Sequence, residues 1–244
     1  MKRLTLILLT FIFSLNLSAQ EKDPTLKKGR PNVKGDLFLD FGFNFLNNHP
    51  EDLDTRFFPS RVANIYYQYP IHLGENSGIT FNPGIGLGLD KLAFKRDSTL
   101  INNPALGNNS SQLVGIKTLY GNDVRIDVNN MAINYIDIPL EFRYHVNKTN
   151  YDKGFRFALG GKVGILYNAH TKVEITDAAG LTRKIKIRQD YGLNPIRYGV
   201  YARVGLPGFN LWSYYGLNKV FKDGQGPFGT EATQFNLGLS VALF

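Results

Sequence analysis

The chain has 244 residues, no cysteine, 43% hydrophobic and 13% aromatic residues, and a formal net charge of +8. The missing cysteine excludes a disulfide scaffold, a thiolate metal site and a cysteine nucleophile, and the apolar content excludes a disordered chain. Its 25 glycines beside 18 phenylalanines are an unusual pairing for a soluble helical enzyme.

At the N-terminus, Lys2 and Arg3 precede an apolar run from Leu4 to Leu17, which exits into Ser18, Ala19 and Gln20. A basic start, a short apolar centre and small residues at its exit describe a cleaved signal peptide. The run falls short of the about 20 residues a helical membrane span needs. No cysteine follows it, so a lipid-modified N-terminus is excluded. Cleavage next to Ala19 or Gln20 assigns residues 1–20 to the signal peptide. Loss of Lys2 and Arg3 lowers the net charge from +8 to +6. Residues 21–35 then form a polar tail carrying Lys22, Lys27, Lys28, Arg30 and Lys34, and residues 36–244 form the folded domain.

From Gly35 onward the apolar period is two, the mark of half-buried strands. The first run sets Leu37, Leu39, Phe41, Phe43 and Phe45 against Asp40, Gly42 and Asn44. The second, Val62 to His72, sets Ala63, Ile65, Tyr67, Tyr69 and Ile71 against Asn64, Tyr66 and Gln68. The third sets Ile79, Phe81, Ile85, Leu87 and Leu89 against Thr80, Asn82, Gly84, Gly86, Gly88 and Asp90. In the fourth, Ile136, Ile138, Leu140, Phe142 and Tyr144 oppose Tyr135, Asp137, Glu141 and Arg143. In the fifth, Phe155, Phe157, Leu159, Val163, Ile165 and Tyr167 oppose Arg156, Gly160, Lys162 and Gly164. The sixth opposes Ile196, Tyr198, Val200, Ala202, Val204 and Leu206 to Arg197, Gly199, Tyr201, Arg203 and Gly205. The seventh, Phe209 to Phe221, carries aromatics on both faces. The eighth sets Phe235, Leu237, Leu239, Val241 and Leu243 against Asn236, Gly238 and Ser240.

Connections alternate as well. Short turns are expected at 74–78, 147–153 and 207–208, and long segments at 46–60, 96–131 and 222–232. The fifth and sixth strands are expected to run on past the others to a turn at 176–182. Short turns on one side and long loops on the other are the organisation of an outer-membrane barrel. The sequence therefore predicts an all-β fold: a transmembrane, antiparallel, up-and-down barrel of eight strands with both termini periplasmic. In such a barrel the apolar face meets lipid and the polar face packs inside. The polar face here combines glycines with charges of both signs. Asp40, Asp90, Asp137 and Glu141 are positioned to pair with Arg143, Arg156, Lys162, Arg197 and Arg203 as an internal, structural charge network. Tyr66, Tyr69, Tyr144, Tyr167 and Tyr215 suit interfacial girdles. Phe244 closes the last strand as an outer-membrane insertion signal.

No enzyme is expected. His49, His72, His145 and His170 share no metal-ligand spacing, and neither outer histidine, His49 or His170, has a compelling serine partner in sequence. Gly84-Ile85-Gly86-Leu87-Gly88 lacks the strand-to-helix context of a phosphate loop. No catalytic, cofactor or metal site is assigned, and the dispersed basic charge carries no nucleic-acid motif. Expected partners are outer-membrane lipid and lipopolysaccharide, the barrel insertion machinery and other proteins. The segment 96–131, rich in Asn and Ser, is the expected outer contact surface.

Four stretches together resemble one family: 82–95 (NPGIGLGLDKLAFK), 134–144 (NYIDIPLEFRY), 154–167 (GFRFALGGKVGILY) and 209–224 (FNLWSYYGLNKVFKDG). They are similar to the PorT family of Bacteroidota outer-membrane barrels, whose named members belong to the type IX secretion system. The resemblance covers most of the chain after Val62 and is weakest over 96–131. It implies an integral accessory component of protein secretion that works through contacts with other secretion-system proteins and is not a pore. The runner-up reading is a general small barrel for adhesion, ligand binding or envelope integrity. The family supplies no catalytic residues.

Overall fold

The computed structural model describes residues 34–243 except 96 and 108. The signal peptide expected over 1–20, all but the last two residues of the basic tail, and Phe244 lie outside the described residues.

The strands follow the alternation. They are β1 (Asp36–Asn47), β2 (Arg61–Gln68), β3 (Ile71–His72), β4 (Ile79–Leu92), β5 (Ser98–Asn102) and β6 (Ser111–Gly115). A short helix α1 (Ile116–Tyr120) precedes β7 (Arg125–His145), β8 (Arg156–Thr176) and β9 (Thr182–Arg188). The chain ends with β10 (Ile196–Leu206), β11 (Phe209–Lys219) and β12 (Thr233–Ala242). Eight of these, β1, β2, β4, β7, β8, β10, β11 and β12, form the wall, each antiparallel to its neighbours. The pairs β1–β12 and β8–β10 complete the ring, so the barrel is closed.

The register defines the barrel's geometry. One hydrogen-bonded row runs from Leu206 through Phe209, Val241, Leu39, Ile65, Leu87, Ile136 and Ile165, and returns to β10 at Ile196. It re-enters that strand ten positions from where it left, which is the shear of the barrel. A closed barrel with such a stagger has strands tilted by about 35–45° to its axis. Every member of the row is apolar and lies on the outer face. Leu159 is 66% and Ile85 58% exposed, whereas Asp137 and Glu141 are fully buried. The polarity of a soluble domain is inverted, as alternation with a charged inner face predicts.

Several boundaries differ from the sequence expectation. β7 and β8 each span 21 residues and, with β9, project well beyond the rest of the wall. Residues 125–131, expected in a loop, are strand. Asn134 pairs with Asn168 and Tyr135 with Leu166, so β8 carries one extra residue, Tyr167; the phase of β8 reverses above this bulge, while β7 keeps its own, with Asn129, Met131, Ile133 and Tyr135 all buried. The turn after Thr176 falls where expected, but β9 is not continuous with β10. The chain breaks at 189–195, where Tyr191 and Gly192 take positive φ values of 55° and 69°. The segment 96–131 is not an open loop: it folds into the β5–β6 hairpin, α1 and the first part of β7. β11 ends at Lys219, because Val220 and Phe221 turn inward to an apolar core. Tyr66, expected in a girdle, is buried inside, while Tyr69, Tyr144, Tyr167 and Tyr215 face outward.

Two glycines show why the inner face needs them. A Cβ on Gly86 would lie 2.0 Å from the Ile65 carbonyl oxygen, and one on Gly238 would lie 2.0 Å from that of Phe41. These are close approaches to the neighbouring strand's backbone, which cannot shift cheaply. At Gly161 the nearest such atom is 3.6 Å away. Gly86→Ala is expected to lower the urea stability of the folded barrel by about 1–3 kcal/mol. Gly161→Ala should fold and unfold like the unsubstituted chain, as read by gel mobility of the folded form across a urea series.

Candidate functional site

The inner phase of the strands brings the predicted charges into two layers. Nearer the short-turn end, Glu141 accepts from Arg143 Nε at 2.9 Å and Nη2 at 2.7 Å on Oε1, and from Arg203 Nη1 at 2.6 Å on Oε2. Arg203 Nη2 also donates to Asp40 Oδ2 at 2.7 Å. Arg143 reaches Asp36 and donates to Gln68 Oε1 at 3.1 Å. The ring of Phe38 stands among three guanidinium groups, of Arg203 at 4.7 Å, Arg143 at 5.2 Å and Arg156 at 5.5 Å. Cations over an aromatic face are stabilised by its quadrupole, the more so when desolvated.

In the second layer Asp137 is the hub. Arg197 donates to it through Nε at 3.1 Å and Nη2 at 2.6 Å, and Tyr66 donates its hydroxyl at 2.6 Å. Arg197 also bonds Asp90. Lys162 Nζ donates to the Tyr66 oxygen at 3.1 Å and lies 3.6 Å from Asp137. The Lys162 ammonium stands 4.1 Å from the Tyr214 ring centre, and the Arg197 guanidinium 4.0 Å from that of Tyr135.

Eight of the nine charged residues expected in the lumen therefore sit in ion pairs. Arg156 does not: its Nε donates to Asn210 Oδ1 at 3.1 Å, and no carboxylate among the described residues lies within ion-pair distance. Asp36 and Phe38 complete the lower layer without having been singled out in the sequence. Phe38 occupies the inner phase with Asp40, a signal masked by the apolar phase beginning one residue earlier. Two interior cavities, one against Lys162 and Tyr66 and the other against Arg197 and Tyr135, hold about 10 Å³ each. That is about one water apiece.

Above the ionic layers the interior is apolar, contrary to the expectation of a polar lumen throughout. Leu92, Met131, Ile133 and Tyr135 from the wall meet Leu53, Phe94, Leu100, Tyr191, Leu193 and Phe221 from all four long connections. Hydrogen bonds tie those connections to each other. Ser111 N donates to Gln225 O at 2.8 Å, Ser111 Oγ to Tyr191 O at 2.7 Å, and Lys222 N to Gly192 O at 2.7 Å. Asn129 Nδ2 donates to Phe94 O at 3.1 Å and Ser98 O at 3.0 Å. The long connections thus fold down and pack into the mouth. A separate small core of Ile116, Val124, Val173 and Ile175 sets α1 against the inner face of the projecting sheet.

The histidines are dispersed. His49 Nδ1 lies 3.0 Å from Pro50 O, and His170 Nδ1 lies 3.1 Å from Asn168 Oδ1 on the projecting part of β8. Burial, reinforced by Lys186 and Arg188, holds His170 below its ordinary pKa. His72 and His145 flank Tyr151 at the short-turn end, with ring centres 5.1 and 4.4 Å from it. Beside them a surface groove of about 730 Å³ runs between the two turns, lined in part by Glu75, Lys148 and Asn150. Among the described residues no group of three or more His, Asp or Glu side chains could hold a metal ion.

A closed ring of eight strands with an apolar outer wall and a charge-compensated interior defines an integral outer-membrane β-barrel. The profile of the outer membrane protein beta-barrel domain family matches residues 36–222, and the chain belongs to that family. No curated protein matches it. Among solved structures it is similar to Ail, the attachment invasion locus protein of Yersinia pestis. That likeness has 11% identity and a TM-score of 0.37, and covers 86% of this chain and 97% of Ail. A triple mutant of the Rhodopseudomonas blastica porin is more distant, with 10% identity and a TM-score of 0.21, over 86% of this chain and 99% of the porin.

Removing one partner of a buried ion pair costs about 3–5 kcal/mol, because the other charge is left uncompensated. Glu141→Ala, which leaves Arg143 with Asp36 alone and Arg203 with Asp40 alone, is expected to show a loss at the lower end of that range in urea unfolding. Arg156→Gln should cost clearly less, since no carboxylate is left behind. Equal losses would show that the pairing around Glu141 contributes nothing particular.

Proposed function

We propose that this barrel is a non-conducting scaffold of the outer membrane that acts through contacts made by its outer surface. The observation that carries the reading is the packed mouth: four connections place an apolar core above two ionic layers, and the two cavities beside the ionic residues are each about the size of a single water. An eight-stranded barrel has room for its own side chains and little else. The short turns and both described chain ends share one end of the barrel, and the long connections share the other. In outer-membrane barrels the short turns are periplasmic, which supports periplasmic termini and an outward-facing β7–β8–β9 sheet.

The geometry favours a surface-binding role, in adhesion, ligand capture or envelope integrity, because β7–β8–β9 projects beyond the wall with its own apolar core. The four PorT-like stretches favour a second reading, in which the same scaffold is an accessory component of type IX secretion and its partners are other secretion proteins. Neither reading assigns a catalytic residue, a cofactor or a nucleic-acid partner.

Purified protein in planar bilayers is expected to give no discrete current steps. Phe94→Ala should cost about 3–5 kcal/mol of stability yet remain non-conducting, because the ionic layers still block the lumen. Stepwise conductance from the unsubstituted chain would end the scaffold reading. Gene deletion separates the two roles. Normal cargo export with weakened surface binding or envelope integrity is the expected result; lost export in an intact envelope would favour secretion.

A further inference from the structure

Among the described residues the lipid-facing wall ends on one side in a group of cations, most of them without a carboxylate partner, whereas Lys219 at the end of β11 is paired with Asp223 and Glu231. One hydrogen-bonded row above the apolar row runs Lys91, Ala132, His170, Arg188 across β4, β7, β8 and β9. Arg61 continues this row on β2, one step beyond the Val62–Asp90 pair. Two rows further up, in the same phase, stand Asn130, Lys172 and Lys186. Lys91 shares its phase with Leu87 and Leu89, and Arg61 with Ala63 and Ile65, so both leave the wall on the side that meets lipid. On β8 the bulge resets the phase. Ala169, Thr171 and Val173 are buried, and Lys172 stands on the opposite, outer face.

These cations form one field. The charges of Arg61, Lys172 and Arg56 all act on Lys91, and those of Lys186 and Arg188 act on His170. The acid on this face, Glu174, is already shared between Lys172 at 3.5 Å and Lys184 at 3.7 Å. Among the described residues no carboxylate lies within ion-pair distance of Arg61, Lys91, Lys186 or Arg188. Like charges directly opposite across strands are destabilising, as with Lys172 beside Lys186. An anion supplied from outside the chain would remove that repulsion. At the lower edge of the patch Phe57 and Phe58 are exposed, Phe57 stacks on Phe43 at 4.4 Å, and the Arg61 guanidinium lies 4.9 Å from the Phe58 ring centre. Apolar rings below and cations above match a lipid whose acyl chains lie against the wall and whose anionic groups lie at its rim.

We propose that this face, Arg61, Lys91, Lys172, Lys186 and Arg188, binds the phosphate groups of the phosphorylated glycolipid of the outer leaflet. Arginine and lysine on the patch offer several N–H donors to phosphate oxygens, and such charge-assisted bonds are among the strong ones. The wall is held with the projecting sheet among the saccharide head groups. The proposal rests on the long connections facing outward, but the binding measurement does not, since it is made on protein free of a membrane.

The test uses the full mature chain, folded in detergent, with lipopolysaccharide as probe and native mass spectrometry or thermophoresis as readout. The unsubstituted protein is expected to bind lipopolysaccharide in preference to phosphatidylglycerol, and to lose at least about tenfold in affinity for enzymatically dephosphorylated material. The triple variant Arg61→Gln, Lys91→Gln, Lys172→Gln should lose a similar factor while keeping the gel mobility of a folded barrel. The conservative Lys91→Arg, and Lys148→Gln at the far end, should bind normally. Equal binding of dephosphorylated lipid, preference for phosphatidylglycerol, or unchanged binding by the folded triple variant would each overturn the proposal. So would capture of an acidic peptide or polysaccharide with no binding of the glycolipid.

Discussion

A backbone that crosses hydrocarbon has no water to satisfy its amides and carbonyls, and each unpaired group costs several kcal/mol. Closure of the sheet is the constraint on which everything else here depends. It requires β1 to find β12 across almost the whole described chain, and β8 to find β10 past the interposed β9. A shear of ten residues over eight strands then leaves an interior no wider than the side chains that fill it. Glycines such as Gly86 and Gly238 follow from the same constraint, because the strands approach too closely there for a Cβ.

Closure also dictates what the interior holds. A wall that is apolar outside needs a polar inner phase to be distinguishable from a strand buried on both sides, and charges placed there must be compensated. The chain meets that need with two hubs, Glu141 and Asp137, each accepting from more than one cation. Neighbouring aromatic faces take part of the remaining positive charge, as Phe38 does for three arginines. Above the hubs the lining changes to Leu92, Met131 and Ile133, and the connections follow it inward. On the proposed reading the division has a functional consequence: the membrane part serves as filling, and the rim and the projecting sheet are what meets a partner.

How far this was legible depended on the length of uninterrupted alternation. Where the two-residue period runs unbroken, as in 136–144 or 196–206, facing and inner residues could be assigned one by one. It failed in three kinds of place. The bulge at Tyr167 reverses the phase of β8, so its upper half departs from the alternation read below it. Phe38 and Tyr66 are aromatic yet inward, where they serve charges and not lipid. The segment 96–131 was polar and turn-rich, and read as open loop, although Leu100 and Ile116 in it are fully buried. Isolated apolar residues between asparagines and serines have no period, so only their shared destination reveals them.

By itself the sequence determined the class of fold, the number of wall strands, the lipid-facing side of every wall strand but the seventh, and the set of charges enclosed. These are one-dimensional consequences of a period of two: the pleat sends alternate side chains to opposite faces, and lipid accepts only one kind. The tertiary structure alone decided which charge meets which, that Arg156 meets no carboxylate among the described residues, that the connections pack into the mouth, and that cations gather on one flank of the rim. Each of those depends on stagger between strands distant in sequence. Pairing of Arg203 with Asp40, or of Lys91 with His170 in one row, comes from shear and closure, which have no local signature in the chain.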